Sequence, residues 1–162
     1  ASKQMLDDIL FGIARDNECS RIVAMLLDYP EWYELLCKKV LSTYYINAKW
    51  QFAESLKDCN GKDEIRELIF DFLQVDNEYT QRLALQSLAY IYPDKAEEYA
   101  IDFWWRDKYK DDAYASEYQK IVVLHVLHII HSAELEKYLD LADKSEYRYL
   151  KENAEEIRKI ME

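Results

Sequence analysis

The chain has 162 residues, half of them hydrophobic, which suits a single domain with a substantial core and argues against disorder. It contains two glycines and two prolines, fewer turn-forming residues than an all-β or α/β chain needs, so the composition favours helices. The formal net charge of -11 disfavours binding to nucleic acid phosphates or to anionic membrane surfaces, and it favours a basic partner.

The first 44 residues contain three predicted helices. Apolar residues recur there at spacings of three and four, which is the period of an amphipathic helix. The first helix covers residues 5–13. The second covers residues 21–27 and ends before Pro30, because the residue before a proline is disfavoured in the α-helical region. The third covers residues 31–43.

Paired helices repeat from residue 45 onward. Turn-forming sequences such as Asn60-Gly61 and Tyr92-Pro93 separate the helices of a pair. Three leucines at corresponding places, Leu56, Leu88 and Leu127, give a repeat of roughly 30 to 40 residues, which is typical of a solenoid. The predicted pairs and the final helix cover residues 48–56 with 62–73, 80–88 with 95–105, 117–131 with 134–142, and 146–161.

The first helices of these pairs share a basic residue that is followed by small or apolar residues and a leucine. The matching positions are Ala48-Lys49 with Ala53 and Leu56, Gln81-Arg82 with Ala84 and Leu88, and Gln119-Lys120 with Val123 and Leu127. In this outline residues 45–162 resemble the HEAT-repeat (armadillo-like) superfamily.

The resemblance implies an all-α fold, a right-handed α-α superhelix of stacked antiparallel helix pairs. Residues 1–162 would then form a single domain, because stacked pairs bury one continuous core. Within it, residues 1–44 are an N-terminal cap or a divergent repeat, and residues 45–145 are the helix-pair repeats. Residues 146–162 form the C-terminal capping helix.

The resemblance also implies that the second helices of the pairs line a concave face. Acidic residues recur along these helices, opposite the apolar side, and stacking would merge them into one acidic groove. The alternative is that they only keep the helices solvated. Aromatic residues at the end of one second helix would add contact area for a partner. The candidate partner-binding residues are Glu64, Glu67, Asp71, Glu98, Asp102, Trp104, Trp105 and Tyr109.

Two of these candidates, Trp104 and Trp105, are consecutive. Adjacent residues point about 100° apart on a helix, so the two indoles cannot both point straight into a core. We therefore expect one of them at an edge or an interface, although packing of both beneath the following residues is an equally good interpretation.

The sequence predicts no catalytic residue, no metal and no cofactor. His125, His128 and His131 lie three residues apart, so their rings spread over about 120° of a helix surface. They match neither the His-Glu-x-x-His pattern of zinc proteases nor the Glu-x-x-His pattern of di-iron bundles, and ordinary, partly buried histidines are the preferred interpretation. The three cysteines lack a CxxC spacing, and the two glycines are too far apart for a phosphate-binding loop.

The leading functional hypothesis is a protein-protein interaction scaffold whose acidic, aromatic-anchored concave face binds a basic or extended protein. A sharper version, by analogy, is a bacterial immunity protein that neutralises a basic toxin. The alternative is a HEAT-like enzyme of the glycosylase or lyase type. HEAT-like glycosylases use a basic concave surface, whereas this chain is acidic, so an enzymatic role is disfavoured.

The remaining expectations concern location and assembly. No stretch approaches the ~20 apolar residues of a membrane span, and the first residues lack the order of a signal peptide. The odd number of scattered cysteines suits a reducing compartment, so we expect a cytoplasmic protein. We expect a monomer or a weak homodimer formed through the apolar flank from Met5 to Ile13, with neither nucleic acid nor membrane as a partner.

Overall fold

The computed structural model describes residues 2–61 and 63–162. Helices and no strand are present in this part of the chain, which confirms the predicted all-α class. None of the described helices combines the length and the apolar composition needed to cross a membrane. The helices are α1 (Lys3–Arg15), α2 (Arg21–Leu26), α3 (Pro30–Leu41), α4 (Ile46–Ser55), α5 (Asp63–Arg66), α6 (Ile69–Leu73), α7 (Glu78–Ile91), α8 (Pro93–Trp105), α9 (Ala113–Ile129), α10 (Leu135–Asp143) and α11 (Arg148–Met161).

Several helices begin where local chemistry favours a start. The side chains of Ser2 and Asp112 accept backbone N–H bonds of 3.1 and 3.0 Å at the starts of α1 and α9. Pro30 and Pro93 occupy the first positions of α3 and α8, where a missing N–H removes no intrahelical bond. Each proline therefore ends one helical segment and starts the next.

The helices form two compact units, one ending at Ser87 and the other running from Leu88 to Glu162. The division falls within α7. The superhelical stacking of the whole chain stays a prediction.

The central helix of the first unit is α4, which packs against α1, α2, α3 and α6. Phe52 is fully buried, and its ring meets that of Tyr33 edge-to-face with centroids 5.4 Å apart. Two buried polar side chains also link α4 to its neighbours. Gln51 Nε2 donates to Ile13 O at 2.8 Å, and Ser87 Oγ in α7 donates to a backbone carbonyl of α4 at 2.7 Å.

The central helix of the second unit is α9, which packs against α8, α10 and α11. Its leucines, Leu124 and Leu127, are fully buried. Glu117 is a buried carboxylate on the same helix, and its Oε1 accepts a hydrogen bond of 3.1 Å from Leu150 N in the first turn of α11. The first N–H groups of a helix have no intrahelical partner, so a side chain of α9 caps α11.

The prediction of one helix over residues 62–73 is wrong for residues 63–73, and Lys62 lies outside the described residues. The structure has two short helices, α5 and α6, which are joined at Glu67 and Leu68. Leu68 N donates to Ile65 O, and Phe70 N donates to Glu67 O, both at 3.1 Å. Such i to i+3 bonds wind the chain at about three residues per turn, so side chains in this segment do not keep α-helical spacing.

Two further helices are longer or shifted relative to their predicted ranges. α7 starts at Glu78, not at residue 80, because Asn77 Oδ1 caps it by accepting from Thr80 N at 2.9 Å. α9 starts at Ala113, not at residue 117, because of its Asp112 cap. In both cases the cap precedes the first clearly periodic apolar residue, which is why periodicity alone placed the start too late.

The cap of α11 provides a test of how α9 and α11 depend on each other. We expect Glu117→Ala to lower the free energy of unfolding by about 2 kcal/mol, because Leu150 N loses its acceptor in a buried environment. Glu117→Gln keeps an acceptor oxygen and should lose less. Urea unfolding followed by circular dichroism measures both, with exposed Glu156→Ala in α11 as the control. Equal unfolding midpoints for Glu117→Ala and the control would contradict the capping role.

The cysteines should differ sharply in reactivity. Cys37 is fully buried in α3, and burial raises the pKa of its thiol well above the ordinary value, whereas Cys19 is exposed. We expect iodoacetamide to alkylate Cys19 in the native protein and Cys37 only after unfolding in denaturant. Peptide mass spectrometry identifies the modified thiols. Native Cys37 alkylated as fast as Cys19 would show that α3 opens readily.

Candidate partner-binding surface

The outer face of α8 in the second unit presents three of the predicted site residues. The opposite face of α8 buries Ala96, Ala100 and other apolar residues against the unit. Glu98, Asp102 and Trp105 follow the i, i+4, i+7 spacing of one helix face, and all three are exposed. We call these three residues the α8 surface. It combines two carboxylates with one large aromatic side chain.

Trp105 is exposed and also held in position. Trp105 is 60% exposed, yet its indole Nε1 donates a hydrogen bond of 3.2 Å to the hydroxyl of Tyr138 in α10. Tyr138 itself is buried. A fixed aromatic side chain loses little conformational entropy when a partner covers it, so Trp105 is suited to anchor a binding partner.

Trp104, the adjacent candidate, points away from the α8 surface. It is buried, and its ring meets the ring of Tyr138 at a centroid distance of 5.0 Å and an interplanar angle of 71°. The two indoles therefore diverge, as their spacing on a helix requires. Trp104 contributes to the packing of the unit and offers no surface to a partner.

Tyr109 lies beyond the end of α8, in the segment that leads to α9, and is half-buried. The guanidinium carbon of Arg106 lies 5.5 Å from its ring centroid, and the ammonium of Lys108 lies at the same distance. Arg106 also lies 3.5 Å from the Phe103 ring and is hydrogen-bonded to Gln119 of α9. Tyr109 therefore belongs to a cation-aromatic cluster next to the α8 surface.

The carboxylates of α8 differ from those of the neighbouring helix in their pairing. Within residues 2–61 and 63–162, no basic side chain forms an ion pair with Glu98 or Asp102. In contrast, Arg158 of α11 binds three carboxylates of α10, and its hydrogen bonds, first that to Glu136, raise the pKa of the guanidinium. These partners of Arg158 are Glu136, Asp140 at 3.0 Å and Asp143 at 3.0 Å.

These ion pairs affect the acids that were expected to continue the acidic stripe from α8 onto α10. Asp140 is engaged by Arg158, and Glu134, the other acid expected to extend the stripe, pairs with Lys137 at 2.8 Å. Lys137 offsets the charge of Glu134, while Asp140 shares the single charge of Arg158 with two other carboxylates. Of the acids expected in this part of the stripe, Glu98 and Asp102 are those that form no ion pair with a described residue.

The other predicted acids lie in the first unit. Glu64 in α5, Glu67 at the junction and Asp71 in α6 are all exposed. The tight turn between α5 and α6 breaks the single stripe expected from one continuous helix. Asp71 lines an open cavity of about 600 Å³ with residues of α3 and α4. The merging of these acids with the α8 surface into one groove stays a prediction.

The histidines take structural positions in the second unit. His125 Nε2 lies 2.7 Å from Asn153 Oδ1, which links α9 to α11. His128 is half-buried. His131 is exposed and has a φ of 53°, so it occupies the left-handed turn that ends α9. The three rings therefore have separate environments.

Tyr138 is the residue of the candidate surface that the sequence pattern missed. It occupies an apolar position of the predicted helix 134–142, where a tyrosine is expected to pack. No sequence signal indicates that its hydroxyl would reach a tryptophan that lies 33 positions earlier. A buried tyrosine hydroxyl needs a hydrogen-bond partner, and this requirement is the one clue available before the fold is known.

In the described part of the chain, the fold and the α8 surface define a helical protein with an anchored aromatic side chain beside two acids that form no ion pair. Comparisons of the chain with protein-family models, with curated proteins and with solved structures gave no match. A functional assignment therefore depends on the residues themselves.

The hydrogen bond that holds Trp105 can be removed without removing the ring packing. In Tyr138→Phe the contact with Trp104 remains, so we expect a loss of about 1 kcal/mol in the free energy of unfolding. The Trp105 indole N–H should exchange with solvent faster, and its side chain should become more mobile. Nitrogen-15 NMR of the indole groups measures both, with Tyr149→Phe on the exposed face of α11 as the control. Unchanged exchange at Trp105 would contradict the anchoring.

Proposed function

We propose that this protein is a protein-protein interaction scaffold whose α8 surface binds a basic or extended protein partner. The observation that supports the proposal is the combination, on one helix face, of the exposed and anchored Trp105 with the unpaired carboxylates of Glu98 and Asp102. Tryptophan is among the residues that contribute most to binding energy at protein interfaces.

The two kinds of side chain have different tasks in this proposal. Trp105 supplies apolar contact area and most of the affinity. Glu98 and Asp102 attract a basic surface over a distance of about a Debye length, roughly 8 to 10 Å at physiological salt, which speeds encounter and orients the partner. The net charge of -11 adds to this attraction. The immunity-protein version of the function would use the same surface, with a basic toxin as the partner.

The test compares the α8 surface with an equally charged surface elsewhere on the second unit. Glu98→Lys with Asp102→Lys reverses two charges on α8. Glu155→Lys with Glu156→Lys makes the same change in net charge on exposed residues of α11. Affinity capture from the cells that produce the protein, quantified by mass spectrometry, identifies basic proteins retained by the unmodified chain.

We expect the α8 double variant to retain such partners at least tenfold less well, while the α11 control keeps them. Trp105→Ala should weaken binding by about 2 kcal/mol, or roughly thirtyfold, because it removes the anchor. Raised salt should slow association of the unmodified protein more than that of the α8 double variant. Equal retention by both double variants would refute a role of the α8 surface.

A further inference from the structure

An open cavity of about 600 Å³ lies in the first unit, where the end of α3 and the start of α4 meet α6 and the turn that follows α6. Its lining is mixed in character. Apolar side chains form part of the wall, one lysine comes from α4, and carboxylates come from α6 and the following turn. The lining residues are Leu41, Ile46, Lys49, Asp71, Gln74, Val75 and Asp76.

Lys49 is the unusual residue of this cavity. It is 9% exposed, and none of the described residues accepts a hydrogen bond from its ammonium or forms an ion pair with it. Burial lowers the pKa of the ammonium, and no neighbouring carboxylate offsets this effect. The ammonium nitrogen itself is not fully buried and reaches the open cavity, where no described residue supplies an acceptor. Such a group points to a ligand that supplies the missing acceptor.

Asp71 gives the cavity an opposite charge. Its side chain is exposed, and no described basic residue pairs with it. Lys49 and Asp71 form no ion pair with each other. The cavity therefore presents Lys49 and Asp71 as separate charged groups, with Leu41, Ile46 and Val75 supplying apolar wall and Asp76 as a second carboxylate in the lining.

We propose that this cavity binds a peptide segment in which an acidic side chain lies next to a basic one. The ligand carboxylate accepts hydrogen bonds from Lys49, and the ligand cation binds Asp71. The aliphatic stem of the ligand's lysine or arginine covers the apolar wall. A ligand of one charge only would satisfy one group and leave the other unpaired. The cavity lies in the first unit and shares no residue with the α8 surface.

Capped tetrapeptides separate these contributions. The probe is acetyl-Gly-Glu-Arg-Gly-amide, and the comparison peptides replace either Glu or Arg by Gln. Binding is followed by nitrogen-15 NMR titration of the backbone amides around the cavity, together with the ammonium resonance of Lys49. We expect saturable shifts for the probe at about millimolar concentration and roughly tenfold weaker binding for each Gln peptide. Binding should also raise the pKa of Lys49.

Variants of Lys49 distinguish a binding role from a structural one. Lys49→Met removes the uncompensated charge, so it should abolish probe binding and raise the melting temperature by a few degrees. Lys49→Arg should retain binding, and Lys3→Met, which removes the same charge from exposed α1, should change neither property.

Three results would overturn the proposal. These are equal binding of all three peptides, unchanged binding by Lys49→Met, and binding of free arginine as tight as that of the probe. A Lys49→Met variant that is less stable than the unmodified chain would assign Lys49 to the structure instead. None of these results depends on Glu98, Asp102 or Trp105, so the test is separate from that of the proposed scaffold function.

Discussion

Tyr138 lies beneath two consecutive tryptophans, and its ring and its hydroxyl act on them in different ways. The ring packs edge-to-face on buried Trp104, while the hydroxyl accepts a hydrogen bond from exposed Trp105. The first contact belongs to the core of the second unit and the second to its surface. Because one side chain makes both, the position of the surface indole is determined by core packing.

The acidic residues of the second unit also fall into two groups, those that hold helices together and those that face solvent without an ion pair. Arg158 binds three carboxylates from α10, so acids that are conspicuous in the sequence hold α10 and α11 together. These pairs are largely exposed, so each contributes little, although a shared arginine orders several acids at once. No basic residue in the described part of the chain pairs with Glu98 or Asp102. Local charge density alone therefore does not identify a binding surface, because pairing decides which acids remain available.

Helical class and most helix positions could be predicted from the period of the apolar residues, since each helix buries one stripe of its surface. Ala96, Ala100 and Leu127 occupy such stripes. Start positions were less predictable, because caps such as Asn77 and Asp112 precede the apolar pattern. The break at Glu67 and Leu68 was not predictable, since neither glycine nor proline marks it and both sequences flanking it are helical in period.

The candidate site was predictable in outline, and its details required the fold. Spacing placed Glu98, Asp102 and Trp105 on one helix face, and all three are exposed. Spacing also implied that Trp104 and Trp105 diverge, but it did not identify which of them is buried. That choice depends on α10, through Tyr138, and a pattern within one helix carries no information about a helix 33 positions away.

Lys49 shows why the most informative residue can be hidden by a repeat pattern. It belongs to the series of basic residues that supports the resemblance to helical repeats, and Arg82 and Lys120 hold the corresponding positions. Arg82 pairs with Glu78 at 2.9 Å, and Lys120 donates to Ser116 at 3.3 Å near two aromatic rings. Lys49 has no equivalent compensation and faces a cavity. A position shared by a whole series is readily explained as architecture, whereas the member without a described partner is the one left able to bind a ligand.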